Sequence, residues 1–196
     1  MNKLKIALDM DEVIVDLIGH WALLYKLKVG LPCETELEVT EWDVAKTFNL
    51  IPKEEVYAML DRQGMFSMCK PIPKAVATIN RMLRDNRFEI DILTVATAKT
   101  AYSEKLEWIS RHFGEELRER TIGLASHAHK ARISSAYDVL VEDNPLTLQK
   151  AAGNGCSRIL FVQPHNHEAE YPRDFDYLVE NWDELYDKLE YLWERI

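Results

Sequence analysis

Three features of this 196-residue sequence predict a doubly wound α/β fold, a parallel sheet covered by helices on both faces, with a small helical cap inserted after its first strand. Short, β-branched apolar runs of strand length recur along the chain, and amphipathic stretches of helix length separate them. One region, Gly30 to Ile72, breaks that alternation. Strands that alternate with helices at this spacing pair in parallel, because each crossover returns the chain to the same end of the sheet.

The first strand is Lys3 to Leu8, an apolar run that stops at Asp9. A helix through Val13 to Lys28 follows, with Leu17, Trp21, Leu24 and Tyr25 at helical spacing. Between Gly30 and Ile72 there is no convincing buried strand, only helical segments around Glu41 to Phe48 and Lys53 to Arg62, punctuated by Pro32, Pro52 and Pro71. Together with the preceding helix this region makes the cap. The expected division is an α/β core of residues 1–15 and 76–196 and a helical cap of residues 16–75. From Pro73 the stretch PKAVATINRMLRDN opens with a proline suited to a first helical turn and feeds the strand Phe88 to Val95. Then come a helix through Ser103 to Phe113, a short strand near Thr121 to Ala125, a helix around Lys130, the strand Asp138 to Val141, a helix from Pro145 and the strand Arg158 to Val162. The chain closes on a helix in ENWDELYDKLEYLWER, with Trp182, Leu185, Leu189 and Leu192 as its apolar stripe. No internal repeat or low-complexity run occurs.

Composition narrows the function. A length of 196 residues can bury a real core without disulfides. Cys33, Cys69 and Cys156 are odd in number, far apart and form no C-x-x-C pair, which predicts neither a disulfide framework nor a zinc ribbon and suits a reducing, cytoplasmic setting. No secretory signal or membrane-spanning run is read from the sequence. The net charge of −9 argues against binding a nucleic acid polymer, which needs clustered Lys and Arg. It leaves room for a small phosphorylated substrate, since a bound divalent cation reverses the local field.

Ligands of parallel α/β sheets bind at the carboxyl ends of the strands. Those ends are polar here: Asp9-Met10-Asp11 after the first strand, Thr94 in the second, Glu142-Asp143-Asn144 after the fourth, with Lys130 on the helix before it. Two acids one residue apart, and a third on a neighbouring strand, make the oxygen cage that Mg2+ prefers. Asp9 can then attack phosphorus as a nucleophile, splitting one hard hydrolysis into two easier steps. Asp11 is placed to protonate the leaving alkoxide and later to take a proton from the hydrolytic water. Thr94 and the amides after it can hold phosphate oxygens, and Lys130 can neutralise developing charge. Each residue alone has a plainer reading. A lone D-x-D is common, Thr94 can cap a turn, Lys130 can be a solvated surface lysine, and Glu142-Asp143-Asn144-Pro145 can be a helix start. Their joint placement at successive strand ends is what favours catalysis.

The order of DMDEVIVD, the threonine of ILT, a lysine and then VEDNP resembles the four motifs of the haloacid dehalogenase-like superfamily. Within it the chain is similar to the 5′(3′)-deoxyribonucleotidase branch, through the DMDEV start, the helical insertion after the first motif and the EKLEWI–HFG stretch. The resemblance implies Asp9 as nucleophile and metal ligand, Asp11 as acid–base with its backbone carbonyl on magnesium, Thr94 and Lys130 on phosphate, and Asp143 on the metal. Glu142 would reach the metal through water, with Asn144 beside it. Glu12 stands where glycine is common in the family, and Val95 and Ala96 replace a serine and a proline found in some relatives.

The implied function is Mg2+-dependent hydrolysis of nucleoside 5′-monophosphates, with deoxyribonucleotides among them. Trp21, Trp42, Phe48, Tyr57 and Phe66 of the cap offer aromatic faces for a base, or simply a cap core. The pairs His127/His129 and His165/His167 lack a third ligand at supporting spacing and are expected to be exposed, without zinc. Three other readings compete: a phosphatase of another small ester, a phospho-accepting receiver domain, and a catalytically silent binder. A receiver would carry its acid pair early and its lysine last, the reverse of the order here, and intact Asp9 and Asp11 argue against a silent protein.

Overall fold

The computed structural model describes residues 2–167 and 175–196. In chain order its elements are β1 (Leu4–Leu8), β2 (Val15–Asp16), α1 (Leu17–Val29), α2 (Lys53–Ala58), β3 (Lys70–Pro71), α3 (Ala75–Leu83), β4 (Phe88–Val95), α4 (Ala101–Phe113), α5 (Glu115–Glu119), β5 (Thr121–Leu124), α6 (His127–Ile133), β6 (Val139–Glu142), α7 (Pro145–Lys150), β7 (Ser157–Phe161), α8 (Pro164–His167), β8 (Tyr177–Val179) and α9 (Trp182–Trp193). Six strands pair in the order β5-β4-β1-β6-β7-β8, all parallel. After β5 the chain crosses β1 to begin the other half of the sheet at β6. The resulting crevice lies outside the carboxyl ends of β1 and β6, the point where the strand order reverses.

The strands read as near-continuous apolar runs because both faces are covered. Along β1, Leu4, Ile6 and Leu8 join one core and Ala7 the other. In β6, Val139 and Val141 likewise oppose Leu140, and in β7, Ile159 and Phe161 oppose Leu160. The period of two thus assigns each residue to a layer. The larger core includes Trp108, Trp182, Leu185 and Leu189 from α4 and α9.

A third apolar cluster is built on an excursion of the chain over residues 17–69, through Trp21, Tyr25, Val44, Phe48, Val56, Met59 and Phe66, and is joined by Ala101 at the start of α4. The chain leaves and re-enters this excursion through an antiparallel ribbon, Val15 opposite Pro71 and Asp16 opposite Lys70. The ribbon is a correction to the sequence reading, and it explains a second one. The helix expected from Val13 begins only at Leu17, because residues 13–16 are spent on the turn and ribbon, and Asp16 then caps α1 through the Gly19 amide. The expected helix at Glu41 to Phe48 shrinks to a 3-10 turn, Val44–Lys46, behind Asp43 as N-cap. α3 starts at Ala75, not Pro73, since Lys74 has a positive φ. Too short for a strand pattern to register, β8 was not foreseen either. Cys33 is exposed, Cys69 and Cys156 are buried, and all three are free.

Candidate active site

Asp9 follows β1 directly, and its amide donates to Val141 O of β6 at 2.9 Å, which locks the two strand ends together. Its carboxylate Oδ1 accepts from Met10 N at 2.7 Å and from the Lys130 ammonium at 2.6 Å, so the rotation of the carboxylate is fixed. Lys130, fully buried on α6, also donates to Glu142 Oε2 at 2.7 Å. That overturns its plainer reading as a solvated surface lysine. Asp9, Glu142 and Asp143 are all buried and offer carboxylate oxygens within 4.8 Å of one another. Asn144 N-caps α7 through Leu146 and Thr147, and its own amide donates to Glu142 Oε1 at 3.1 Å. Helix start and acid pair are therefore the same four residues doing both jobs.

Asp11 lies one loop further on, its Oδ2 accepting from Lys105 Nζ at 2.6 Å. The other oxygen, Oδ1, is buried with no hydrogen-bond partner. Lys105 spends its remaining donors on Thr94 Oγ1 and Val95 O, both at 2.8 Å. Thr94 is thus fully buried behind the cavity wall, which is lined at this point by Val95, Thr97 and Ala98. The EKLEWI stretch carries part of the family resemblance but by itself assigns Lys105 no role. The available signal was its place in the stripe Ala101, Lys105, Trp108, the buried face of α4, where an unpaired lysine is not tolerated.

Glu12 takes a φ of 56°, the left-handed region, which is why glycine suits this position. The strain is offset by its carboxylate, which accepts from Ile18 N at 2.6 Å in the first turn of α1. Burial pushes the Glu12 carboxyl well above its ordinary value. Burial, then Glu142, push Asp9 up to about 7 against the pull of Lys130. Asp143 is raised by burial and pulled back by His165, whose Nε2 lies 2.9 Å from Asp143 Oδ2. Burial alone would lower the Lys130 ammonium, and Asp9 and Glu142 more than reverse it.

These carboxylates front a cavity of about 290 Å³, near the lower end for small-molecule sites. Its floor is Asp9, Asp11, Lys130 and Asp143, and Trp21, Trp42, Tyr57 and Phe66 from the excursion give it an aromatic wall. Phe48, the fifth aromatic singled out by sequence, is instead stacked on Tyr25 inside the excursion's core. The expectation that both histidine pairs are exposed fails at His165, which is 5% exposed, and His127 lines the cavity with Nδ1 3.0 Å from Thr147 Oγ1. The side chain of His167 lies outside the described residues.

A family model described as 5′ nucleotidase, deoxy (Pyrimidine), cytosolic type C protein matches residues 2–192. The chain belongs to this family. Over 189 residues it is 27% identical to a 5′(3′)-deoxyribonucleotidase of Bacillus subtilis (strain 168), covering 95% of this chain and 99% of that one. The same figures hold for a 5′(3′)-deoxyribonucleotidase of Bacillus phage SPbeta. Among solved structures, a HAD-type protein of Bacillus subtilis bound to magnesium superposes with a TM-score of 0.62 at 12% identity, covering 96% of this chain and 99% of that one. A HAD-superfamily hydrolase of subfamily IA from Geobacter sulfurreducens PCA gives 0.57 at 12% identity, covering 95% and 96%. These two likenesses establish the α/β fold of that superfamily.

The donor set fits the magnesium that such hydrolases generally use. Hard carboxylate oxygens from Asp9 and Asp143 converge beside Glu142, and Lys130 balances only part of their charge. A divalent cation would supply the remaining balance, and oxygen ligands with retained waters are what Mg2+ takes.

Proposed function

We propose that the chain is a Mg2+-dependent phosphomonoesterase that hydrolyses nucleoside 5′-monophosphates, deoxyribonucleotides among them, through an aspartyl-phosphate on Asp9. One observation carries this reading: two carboxylates of different electrostatic setting, Asp9 and Asp11, face the floor of an aromatic-walled cavity at the switch point of the sheet. Asp9 is the nucleophile, held at Oδ1 by Lys130 and the Met10 amide. Asp11 is the acid–base, and its unpartnered Oδ1 is the atom that delivers a proton to the departing alkoxide and takes one from water in the second step. Magnesium held by Asp9, Asp143 and the Asp11 carbonyl would shield the repulsion between the attacking carboxylate and the phosphate dianion.

Lys130 has a donor to spare beyond Asp9 and Glu142 and turns it to the phosphate. Thr94 accepts from Lys105 and keeps its own hydroxyl proton, and because it is buried behind Val95, Thr97 and Ala98 it reaches a phosphate oxygen only when that wall gives way. The base and sugar lie against Trp21, Tyr57 and Phe66, apolar surface that excludes water from the acyl-phosphate. A division into a core of residues 1–15 and 76–196 and a cap of residues 16–75 belongs to the same proposal, as does a cytoplasmic location, which the three free cysteines favour. No described helix is long and apolar enough to cross a membrane.

The test is release of inorganic phosphate from a panel of nucleoside monophosphates and sugar phosphates, with Mg2+ or with chelator, for wild type and D9N. Nucleotide turnover that needs Mg2+ and vanishes in D9N is the expected result. Turnover confined to sugar phosphates would keep the chemistry and reject the substrate, and full activity in D9N would reject the nucleophile.

A further inference from the structure

We infer that His165 is a positioning residue for the metal-facing carboxylate of Asp143, and that Trp42 holds His165 in that role by packing against its ring. The inference rests on the metal site proposed above. Asp143 leaves β6 with its carboxylate buried, and the donor to Oδ2 is His165 Nε2 at 2.9 Å. A carboxylate that must bind a cation through one oxygen is best aimed by a donor on the other. The imidazole Nε2 supplies that donor, and a lysine in its place would add a permanent charge to compete with the cation.

The backbone around His165 is built for this purpose. Asn166 Nδ2 donates to Asp143 O at 2.8 Å and to Phe161 O at 3.0 Å, while its Oδ1 accepts from Gln163 N at 2.9 Å. Gln163 Nε2 donates to Glu12 O at 2.8 Å. The turn after β7 is therefore fastened to the loops that carry Asp143 and Asp11, and His165 cannot shift without straining these bonds. On its other side the imidazole meets the indole of Trp42, centroids 5.1 Å apart and planes tilted by 57°. Trp42 comes from the excursion, is 42% exposed and lines the cavity with His165. A substrate seated on the aromatic wall touches Trp42, so the wall and the metal carboxylate share one imidazole.

The experiment is calorimetric titration of Mg2+ into the substrate-free protein, for wild type, D143N, H165L, H165Q, W42L and the H165L/W42L double variant, with circular dichroism to establish folding. Removing such an outer hydrogen bond weakens metal binding about 10–100-fold, which is the loss expected in H165L. H165Q puts an amide N–H near the position of Nε2 and should return affinity to within about fivefold of wild type, a rescue that mere packing would not give. W42L should weaken Mg2+ by about two- to fivefold when His165 is present and not at all in H165L, since it acts through that ring. H165L binding Mg2+ as wild type does, beside a D143N that does not bind, overturns the role of His165 alone. Equal weakness in H165L and H165Q also overturns it. D143N binding like wild type overturns the metal site and this inference with it. An equal effect of W42L in both backgrounds overturns the link to Trp42, and if H165L does not fold, normal Mg2+ binding by W42L does so.

Discussion

Replacing Lys105 by Met keeps the stem and volume of the side chain and removes only the ammonium. In the folded protein the Lys105 side chain is 1% exposed and its ammonium donates to Asp11 Oδ2, Thr94 Oγ1 and Val95 O. Deleting one partner of a buried ion pair costs about 3–5 kcal/mol, because the other charge stays buried and unpaired. Asp11 retains 26% side-chain exposure and can recover part of its hydration, which brings the expected loss to about 2–3 kcal/mol. For a chain of this size that is a fall in Tm of roughly 4–12 °C. Urea unfolding measures it, and a D11N/K105M cycle assigns it. In the D11N background the same deletion should cost about 1 kcal/mol less or better, since no charge is left stranded. The same variant should lower kcat by roughly 10²–10⁴, because Asp11 loses the contact that orients it for proton transfer. K105M as stable as wild type to within about 0.5 kcal/mol, or a cycle with no coupling, would refute the account of Lys105 as the counter-charge of this site.

Other outcomes follow from the same geometry. D11N should keep the fold and bind Mg2+ while turnover drops about 10²–10⁴-fold, measured by phosphate release. Saturating Mg2+, at about 100 times its dissociation constant, should stabilise the wild type by about 2.7 kcal/mol and leave D143N nearly unmoved in thermal melts. Burial would raise the Glu104 carboxyl, and the amides of Phe66, Gly64 and Ser67 more than reverse it. E104A strands those three donors and should raise KM through Phe66, which lines the cavity, more than it lowers kcat. Arg87 holds the Asp85 carboxyl below its ordinary value of 3.8 through hydrogen bonds. A depressed carboxyl stabilises the fold above its unfolded pKa and loses that contribution as pH falls through the folded one. The stability gap between wild type and R87A should therefore be full at pH 6 and shrink below about pH 4 in acid titrations.

What could be read in advance was what local chemistry decides. The apolar runs of β1, β6 and β7 announce themselves because both faces of each strand are covered, and β1 and β6 run directly into the acids that line the crevice. Asp9, Asp11 and Asp143 were visible for that reason. Lys105 and His165 were not, since nothing in the neighbourhood of either residue in sequence names its partner: Lys105 meets Asp11 across 94 positions and His165 meets Asp143 across 22. The two-residue strands β2 and β3 and the three-residue β8 are too short to carry a period, and pairing alone defines them. A buried cation on an apolar helix face remains a readable sign, because burying a lysine without a counter-charge is so costly that an acid must lie opposite. Applied to Ala101, Lys105 and Trp108, that argument requires a carboxylate at the foot of α4. The acid pair at the end of β1 is the supply nearest to hand, so the sequence contained half of this contact, and the fold supplied the other half.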